Sequence, residues 1–294
     1  MPRERLDRRL RALHPDLSWT RIRNGIERGQ VTVNGEIARD AGQEVAAPDQ
    51  VQFDPSRRAL SQARLGLVRL YEDQDILVID KPAGLLSVPT HPDLKASEET
   101  VLRRAQEYAR YLQGRTGYAG VLHRLDRDTS GALAIALSRD AHRAGRELFA
   151  THDFDRWYLA VVQGVPSRES GTIDAPISNA YVSGRRYIAR DEDEGRPAVT
   201  HYHVRETYRG ATLLELRLET GRQHQIRLHL QALGHPLLGD KVYAEGVGRP
   251  RARRQMLHAW RLSFPHPLNR DVVSAEAPIP RDFAKLCVDM ARHS

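Results

Sequence analysis

Residues 122–131 run Leu122-His123-Arg124-Leu125-Asp126-Arg127-Asp128-Thr129-Ser130-Gly131. Two acids sit among three basic groups, and a Thr-Ser-Gly turn closes the run. Gly120 precedes the stretch and the apolar run 132–137 follows it, so a charged loop is expected to feed a buried strand. A loop braced by a rigid strand is a common place for reactive side chains. Working outward, residues 67–71, 76–80, 156–164, 199–204 and 214–218 carry strand signals. In the last of these Leu214, Leu216 and Leu218 alternate with charged residues, as in a half-buried strand. Helical spacing appears at 101–112, with Leu102, Ala105, Ala109 and Leu112 on one face. It recurs at 140–150 and around Ile226, Leu230 and Leu233, with Gly234 as the stop. Strands and helices without a regular βαβ rhythm predict an α+β domain: a mixed, largely antiparallel sheet flanked by helices.

The N-terminal segment has another character. Leu6, Leu10 and Leu13 fall on one face of a helix predicted over 3–13, and Arg5, Arg8, Arg9 and Arg11 crowd the rest. Ser18 is placed to cap a second helix carrying Trp19, Arg21, Ile22 and Ile26, which Gly29 ends. Val31-Thr32-Val33-Asn34-Gly35 reads as a strand entering a hairpin turn. Val45, Val51 and Phe53 mark two further short strands. The expected organisation is a small α/β domain over 1–54, a linker over 55–66 and a catalytic domain over 67–294. Residues 183–196, rich in charge, read as an exposed hairpin or loop.

Among 294 residues, 40% are hydrophobic and 28% charged, and the net charge is +7. That balance fits a soluble globular protein with an anionic partner, nucleic acid first among them. Cys287 is the single cysteine, so neither an internal disulfide nor a cysteine-based metal site is possible. Met1-Pro2-Arg3-Glu4-Arg5 has no apolar run and no stretch reaches membrane-spanning length, so a cytoplasmic protein off the membrane is expected. His224 and His229 are five residues apart and lack the glutamate of a zinc-protease helix, so no metal is expected.

His123-Arg124-Leu125-Asp126 with Thr129-Ser130-Gly131 resembles the active-site motif of the RluA-type pseudouridine synthases. Three further strings resemble that family's motifs and keep their order. They are Asp80-Lys81-Pro82-Ala83-Gly84, then Tyr158-Leu159-Ala160 with Gly164, then residues 220–229 with His235-Pro236 and Gly239-Asp240. The basic helices and the Val-Thr-Val-Asn-Gly strand resemble the RNA-binding module of small-subunit ribosomal protein four. One departure is Arg156, where the family usually has lysine; the charge is kept and the geometry is not.

The resemblance implies detachment of uridine from its ribose at N1, rotation, and rejoining through C5, with no cofactor. Asp126 matches the essential aspartate, as nucleophile or base. Arg227 matches its cationic partner, which suits a pocket that would disfavour an unpaired charge. Tyr158 matches the residue stacked on the base. Arg124 matches the residue that enters the helix as the uridine leaves it, and Leu228 is expected to line the base pocket. His123 and Arg222 lie in the same motifs and are expected on the RNA side, with Arg5, Arg8, Arg9 and Arg21 as phosphate contacts. The expected partner is RNA, ribosomal before transfer RNA, bound by a monomer. Two other readings remain open: a non-catalytic RNA-binding or ribosome-assembly protein, and a glycosidase pairing Asp126 with Asp128.

Overall fold

The structure is a computed structural model that describes residues 3–27, 29–38, 40–55, 65–94, 97–113, 116–150, 154–182, 185–189, 195–244 and 252–292. Most of the expected linker and the acidic centre of the 183–196 excursion lie outside the described residues. In chain order the N-terminal elements are β1 (Arg3–Arg5), α1 (Leu6–Leu13), α2 (Trp19–Glu27), β2 (Val31–Val33), β3 (Glu36–Ala38), β4 (Glu44–Ala46) and β5 (Val51–Phe53). Strand β1 pairs with β4, and β3-β2-β5 form a second small sheet. Leu6, Leu10, Ile22, Ile26, Val31, Val33, Ala38 and Val45 close one core between helices and sheets.

Several local predictions meet the structure directly. The Arg21 amide donates to Ser18 Oγ at 3.2 Å, the expected cap. Asn34 and Gly35 both have positive φ, 53° and 88°, as a two-residue hairpin turn requires. The first helix begins at Leu6, because residues 3–5 pair as a strand instead. Leu13 is half exposed and outside the core, since that helix ends with it.

The larger unit contains β6 (Val68–Glu72), β7 (Ile76–Lys81), α3 (Val101–Gln113), β8 (Gly120–Val121), β9 (Ser130–Ala136), α4 (Arg139–Ala150), β10 (Asp155–Gln163), β11 (Ser170–Asp174), β12 (Ile177–Ser178), β13 (Gly195–Arg196), β14 (Val199–Tyr208), β15 (Ala211–Leu218), α5 (Gln225–Ala232), β16 (Leu257–Pro265), β17 (Val272–Glu276) and α6 (Arg281–Ala291). One sheet runs β11-β14-β15-β10-β16-β9-β7-β6, with β8 on β9 and β17 on β16. Every pairing within it is antiparallel except β16 with β9.

Both faces of this sheet are covered, and side-chain alternation divides the central strands between two cores. Leu77, Ile79, Leu133 and Ile135 join Val101, Ala105, Tyr108, Ile226 and Leu230 from α3 and α5. Ile76, Val78, Ala132, Ala134 and Ala136 join Ala141, Leu148, Phe264 and Val273 on the other side. Burial on both faces is why these strands read as continuous apolar runs rather than alternating ones. In α3, Tyr108 is buried where the pattern pointed to Leu102, because its hydroxyl reaches Arg69 (2.7 Å) and Glu72 (2.6 Å).

Candidate active site

The loop 122–131 is braced from all sides. Leu125 exchanges two backbone hydrogen bonds with Ser87 Oγ, at 3.0 and 2.7 Å. Gly84 N–H and Lys81 Nζ both donate to Arg127 O at 2.9 Å. Lys81 also donates to Pro82 O and Leu85 O. Its ammonium is fully buried, and burial pulls its pKa down to about 7 against the attraction of Asp126 and Asp128. The Lys-Pro-Ala-Gly turn therefore acts as a bracket for the loop. From the far side, Arg254 donates to Asp128 O at 3.0 Å and Gln255 Nε2 to Thr129 Oγ1 at 2.7 Å. Arg254 is itself gripped by Asp282 at the start of α6.

Gly131 ends the loop at φ +115°, a conformation that side chains resist. A Cβ there would lie 2.1 Å from Ala259 O. Only glycine lets β9 meet β16 at this point, and that contact sets the loop's position over the sheet.

Asp126 projects from the loop toward α5. Arg227 Nη1 donates to its Oδ2 at 3.0 Å. The rest of that guanidinium grips Asp240, Nε to Oδ2 at 2.7 Å and Nη2 to Oδ1 at 2.9 Å. Asp240 also accepts the amides of Val242 and Tyr243. Burial opposes charge on both partners and is outweighed by their mutual attraction. Arg227 is therefore held above its ordinary pKa, and Asp240 below its own. Arg227 also lies over the Tyr243 ring, 4.9 Å from its centroid.

Tyr158 sits on β10 beside this pair, opposite Leu216 of β15 and Ala259 of β16. A register shift between Trp157 and Tyr158 interrupts the β16 pairing there, a device that re-aims a side chain. Burial raises the phenol's pKa, so it stays neutral. Tyr158, Asp126, Arg124, Arg222, His224 and Leu218 all line both lobes of one cleft. Its wider lobe encloses about 510 Å³ and is rimmed by Arg124, Arg146, Arg156 and Arg222. His123 lines that lobe and accepts the Ala134 amide through Nε2 (3.0 Å); burial, with Arg156 adding to it, pushes its pKa down to about 3.

Asp126, Arg227, Tyr158, Arg124, His123 and Arg222 are thus brought together. Leu228 is not: it packs with Ile177, Ala198 and Tyr243, and the apolar wall is Leu125, Leu218, Ile226 and Leu257. Two residues along a helix is about 200°, so Ile226 and Leu228 cannot face the same pocket. Asp128 offers its carbonyl, not a second catalytic carboxylate, to the contacts seen here. Among the described residues no cluster of His, Cys, Asp and Glu could hold a metal. Sequence reasoning considered His224 only as a metal ligand, yet its Nε2 lies 3.8 Å from Asp126 Oδ1. It also missed Asp240 as the second partner of Arg227.

In the N-terminal unit, Arg5, Arg8, Trp19 and Arg23 surround a shallow surface pocket with Asp7. Arg5 Nη2 and Arg23 Nε reach Asp7 at 2.9 and 3.5 Å. Arg8 and Arg21 are exposed. Arg9 is turned inward, paired with Glu4 and the Ala46 carbonyl, so it contributes less to the basic surface than its neighbours.

A family model for RNA pseudouridylate synthase matches residues 75–232. The chain belongs to that family. A second model, the S4 domain, matches residues 4–51. The RNA pseudouridine synthase YlyB of Bacillus subtilis is 36% identical over 300 residues, covering 99% of this chain and 95% of its own. A ribosomal large subunit pseudouridine synthase D from Xanthomonas campestris pv. campestris is 38% identical, covering 96% of this chain and 87% of that protein. Among solved structures, human RNA pseudouridylate synthase domain containing 4 superposes with a TM-score of 0.62 at 26% identity, covering 78% of this chain and 95% of that one. No helix among the described residues is long and apolar enough to cross a membrane.

Proposed function

We propose that this chain converts uridines of large-subunit ribosomal RNA to pseudouridine, with Asp126 as the catalytic carboxylate. The observation that carries this reading is the placement of Asp126 against Arg227, at 3.0 Å, in a cleft walled by Tyr158 and rimmed by arginines. The N1–C1′ bond breaks, C5–C1′ forms, and the C5 proton leaves as N1 gains one. Every atom is conserved, so the chemistry calls for no redox partner or energy source. Asp126, as nucleophile or base, is presented by a loop tied down by Ser87, Lys81, Arg254 and Gln255. Arg227 neutralises it in the cleft, Tyr158 offers a ring face to the base, and Arg124 stands at the mouth where the extruded nucleotide leaves its stack.

The N-terminal unit, residues 1–54, is assigned to RNA binding and residues 67–294 to catalysis, with 55–66 between them. Arg5, Arg8, Arg21 and Arg23 present positive charge suited to phosphates. Ribosomal RNA is favoured over transfer RNA because the near full-length relatives are ribosomal large subunit pseudouridine synthases. The protein is taken as a cytoplasmic monomer working without metal. A pure RNA-binding protein would have no use for an arginine buried between two carboxylates. The deciding experiment maps pseudouridines in ribosomal and transfer RNA from cells with and without the gene. Loss of one or a few large-subunit sites is expected. Loss confined to transfer RNA would redirect the substrate, and no loss anywhere would overturn the activity.

A further inference from the structure

His224 occupies a left-handed conformation, φ 60°, immediately before α5. Side chains other than glycine, asparagine and aspartate rarely adopt it. Asn34, another described residue of this kind, is explained by a hairpin turn; His224 is not in one. Such outliers persist where surrounding contacts over-determine them, and they concentrate at functional sites. Here the consequence is directional. The ring is turned into the cleft, with Nδ1 2.9 Å from Tyr243 Oη and Nε2 3.8 Å from Asp126 Oδ1. Arg227 holds the other oxygen, Oδ2.

The hydrogen bonds around Tyr243 favour one place for the ring proton. Tyr243 Oη already accepts the Arg186 amide at 2.9 Å. Its own proton is free to go to His224 Nδ1, which leaves the imidazole proton on Nε2, aimed at Asp126. The opposite tautomer would turn the Nε2 lone pair toward a carboxylate. Burial holds the imidazole below its ordinary pKa, against the pull of Asp126 and with the help of Arg227, so the ring is neutral near pH 7.

We propose that His224 is a positioning residue for Asp126: an imidazole, set as the Nε2–H tautomer by Tyr243, that supplies the carboxylate's second hydrogen-bond donor. This rests on the assignment of Asp126 as the catalytic acid. At 3.8 Å the contact is longer than a hydrogen bond. Such contacts tighten when substrate closes a site. Once it tightens, a donor on each oxygen stops the carboxylate rotating about Cβ–Cγ and fixes which lone-pair direction stays open to substrate.

Two amide variants separate this role from a structural one. In His224→Gln the side-chain amide reaches the place of Nε2 and can still donate to Asp126. In His224→Asn it reaches only the place of Nδ1, although asparagine suits the left-handed backbone better. Single-turnover pseudouridine formation at saturating RNA, with RNA affinity on the same preparations, should show His224→Asn slowed about 10- to 100-fold, as loss of a hydrogen bond to a charged group does. His224→Gln should fall within about tenfold of the wild type, and both affinities within about threefold. An asparagine variant as fast as or faster than the glutamine one would overturn the proposal. Nitrogen-15 NMR of the ring in the whole, RNA-free chain reads the tautomer without using activity. Nε2–H is expected in the wild type, with Nδ1–H populated in Tyr243→Phe. Nδ1–H or imidazolium in the wild type at pH 7 would sink the idea even if a variant failed to fold. A wild type that formed no pseudouridine on any RNA would instead break the assignment of function, leaving the tautomer to judge this one.

Discussion

Asp7 and Asp240 are both buried carboxylates that hold arginines, and they do opposite things. Asp7 is 2% exposed, while its partners Arg5 and Arg23 are 49% and 56% exposed. Asp240 is fully buried, and its partner Arg227 is only 7% exposed. In the N-terminal unit the acid is the anchor and the guanidiniums face water. In the cleft the arginine is buried as well, and its third nitrogen, Nη1, is directed at Asp126. An arginine tethered at a surface remains available to a large anionic partner. One enclosed on all sides serves a single carboxylate and fixes its geometry. The same ion pair thus leaves its arginines open to solvent in one place and encloses its arginine around a second carboxylate in the other.

The largest effect should come from removing the carboxylate that the buried arginine serves. Asp126→Asn is nearly isosteric and can act neither as nucleophile nor as base. Turnover should fall at least about 10³-fold, with RNA affinity within about threefold because phosphate contacts elsewhere supply most of it. Asp128→Asn, assayed alongside, should keep most activity. The reverse pattern in pseudouridine formation would move the catalytic acid to Asp128.

Breaking the anchor comes next. Asp240→Asn leaves Arg227 buried with half its partners gone, and removing one member of such a pair costs about 3–5 kcal/mol. Asp7→Asn should cost about 1 kcal/mol or less, since its arginines can return to water. Equal losses in urea denaturation would erase the distinction between the two sites.

Acid should distinguish the cleft as well. His258 is buried behind the loop, with Nδ1 3.0 Å from Ser130 Oγ and Nε2 3.3 Å from Ala277 O. Burial pushes its pKa from 6.5 down to about 4. The unfolded chain therefore binds a proton that the folded one refuses. This contribution to stability is complete above pH 6.5 and is lost as pH falls toward 4, at up to about 1.4 kcal/mol per pH unit. His258→Gln should lower stability at neutral pH and flatten that acid slope, measured as the pH dependence of the urea midpoint. An unchanged slope would mean the imidazole is protonated in the fold.

The smallest effect belongs to the exposed arginines. Arg5→Gln with Arg23→Gln should weaken RNA binding several-fold. It should also flatten the salt dependence by roughly one unit of slope per lost phosphate contact, with the melting temperature little changed. An unchanged salt slope would remove this face from the RNA interface.

Local physics made much of the fold legible. Ser18 as a cap, Asn34-Gly35 as a turn, Gly234 as a stop and the alternation of 214–218 each depend on neighbours within a few residues. The convergence of Asp126, Tyr158 and Arg227 has no such signal: 101 residues separate the carboxylate from its arginine, and only the order of family motifs linked them. The bracket from Arg254 and Gln255 spans 126 residues and was invisible for the same reason. Leu228 shows a different failure. A motif says which residues are present, while helical phase decides which one faces the pocket, and Ile226 takes that side. His224 was weighed as a metal ligand by its spacing to His229, a pattern that says nothing about a left-handed backbone turning the ring toward an acid.

Strand β16 lies between β10 and β9, and it is the piece that joins the two wings of the sheet. Its first residue is Leu257. A ribosome making this chain therefore releases the S4-like unit, the charged loop and the tyrosine strand long before the cleft can close. At about 5–20 residues per second, the interval between the tyrosine strand and β16 is on the order of ten seconds. Throughout it the basic N-terminal surface can already fold around its own core, while the carboxylate that would act on RNA has no complete sheet beneath it. Under the proposed assignment, synthesis itself orders the two capacities: the unit assigned to RNA binding leaves the ribosome before the cleft assigned to catalysis can assemble.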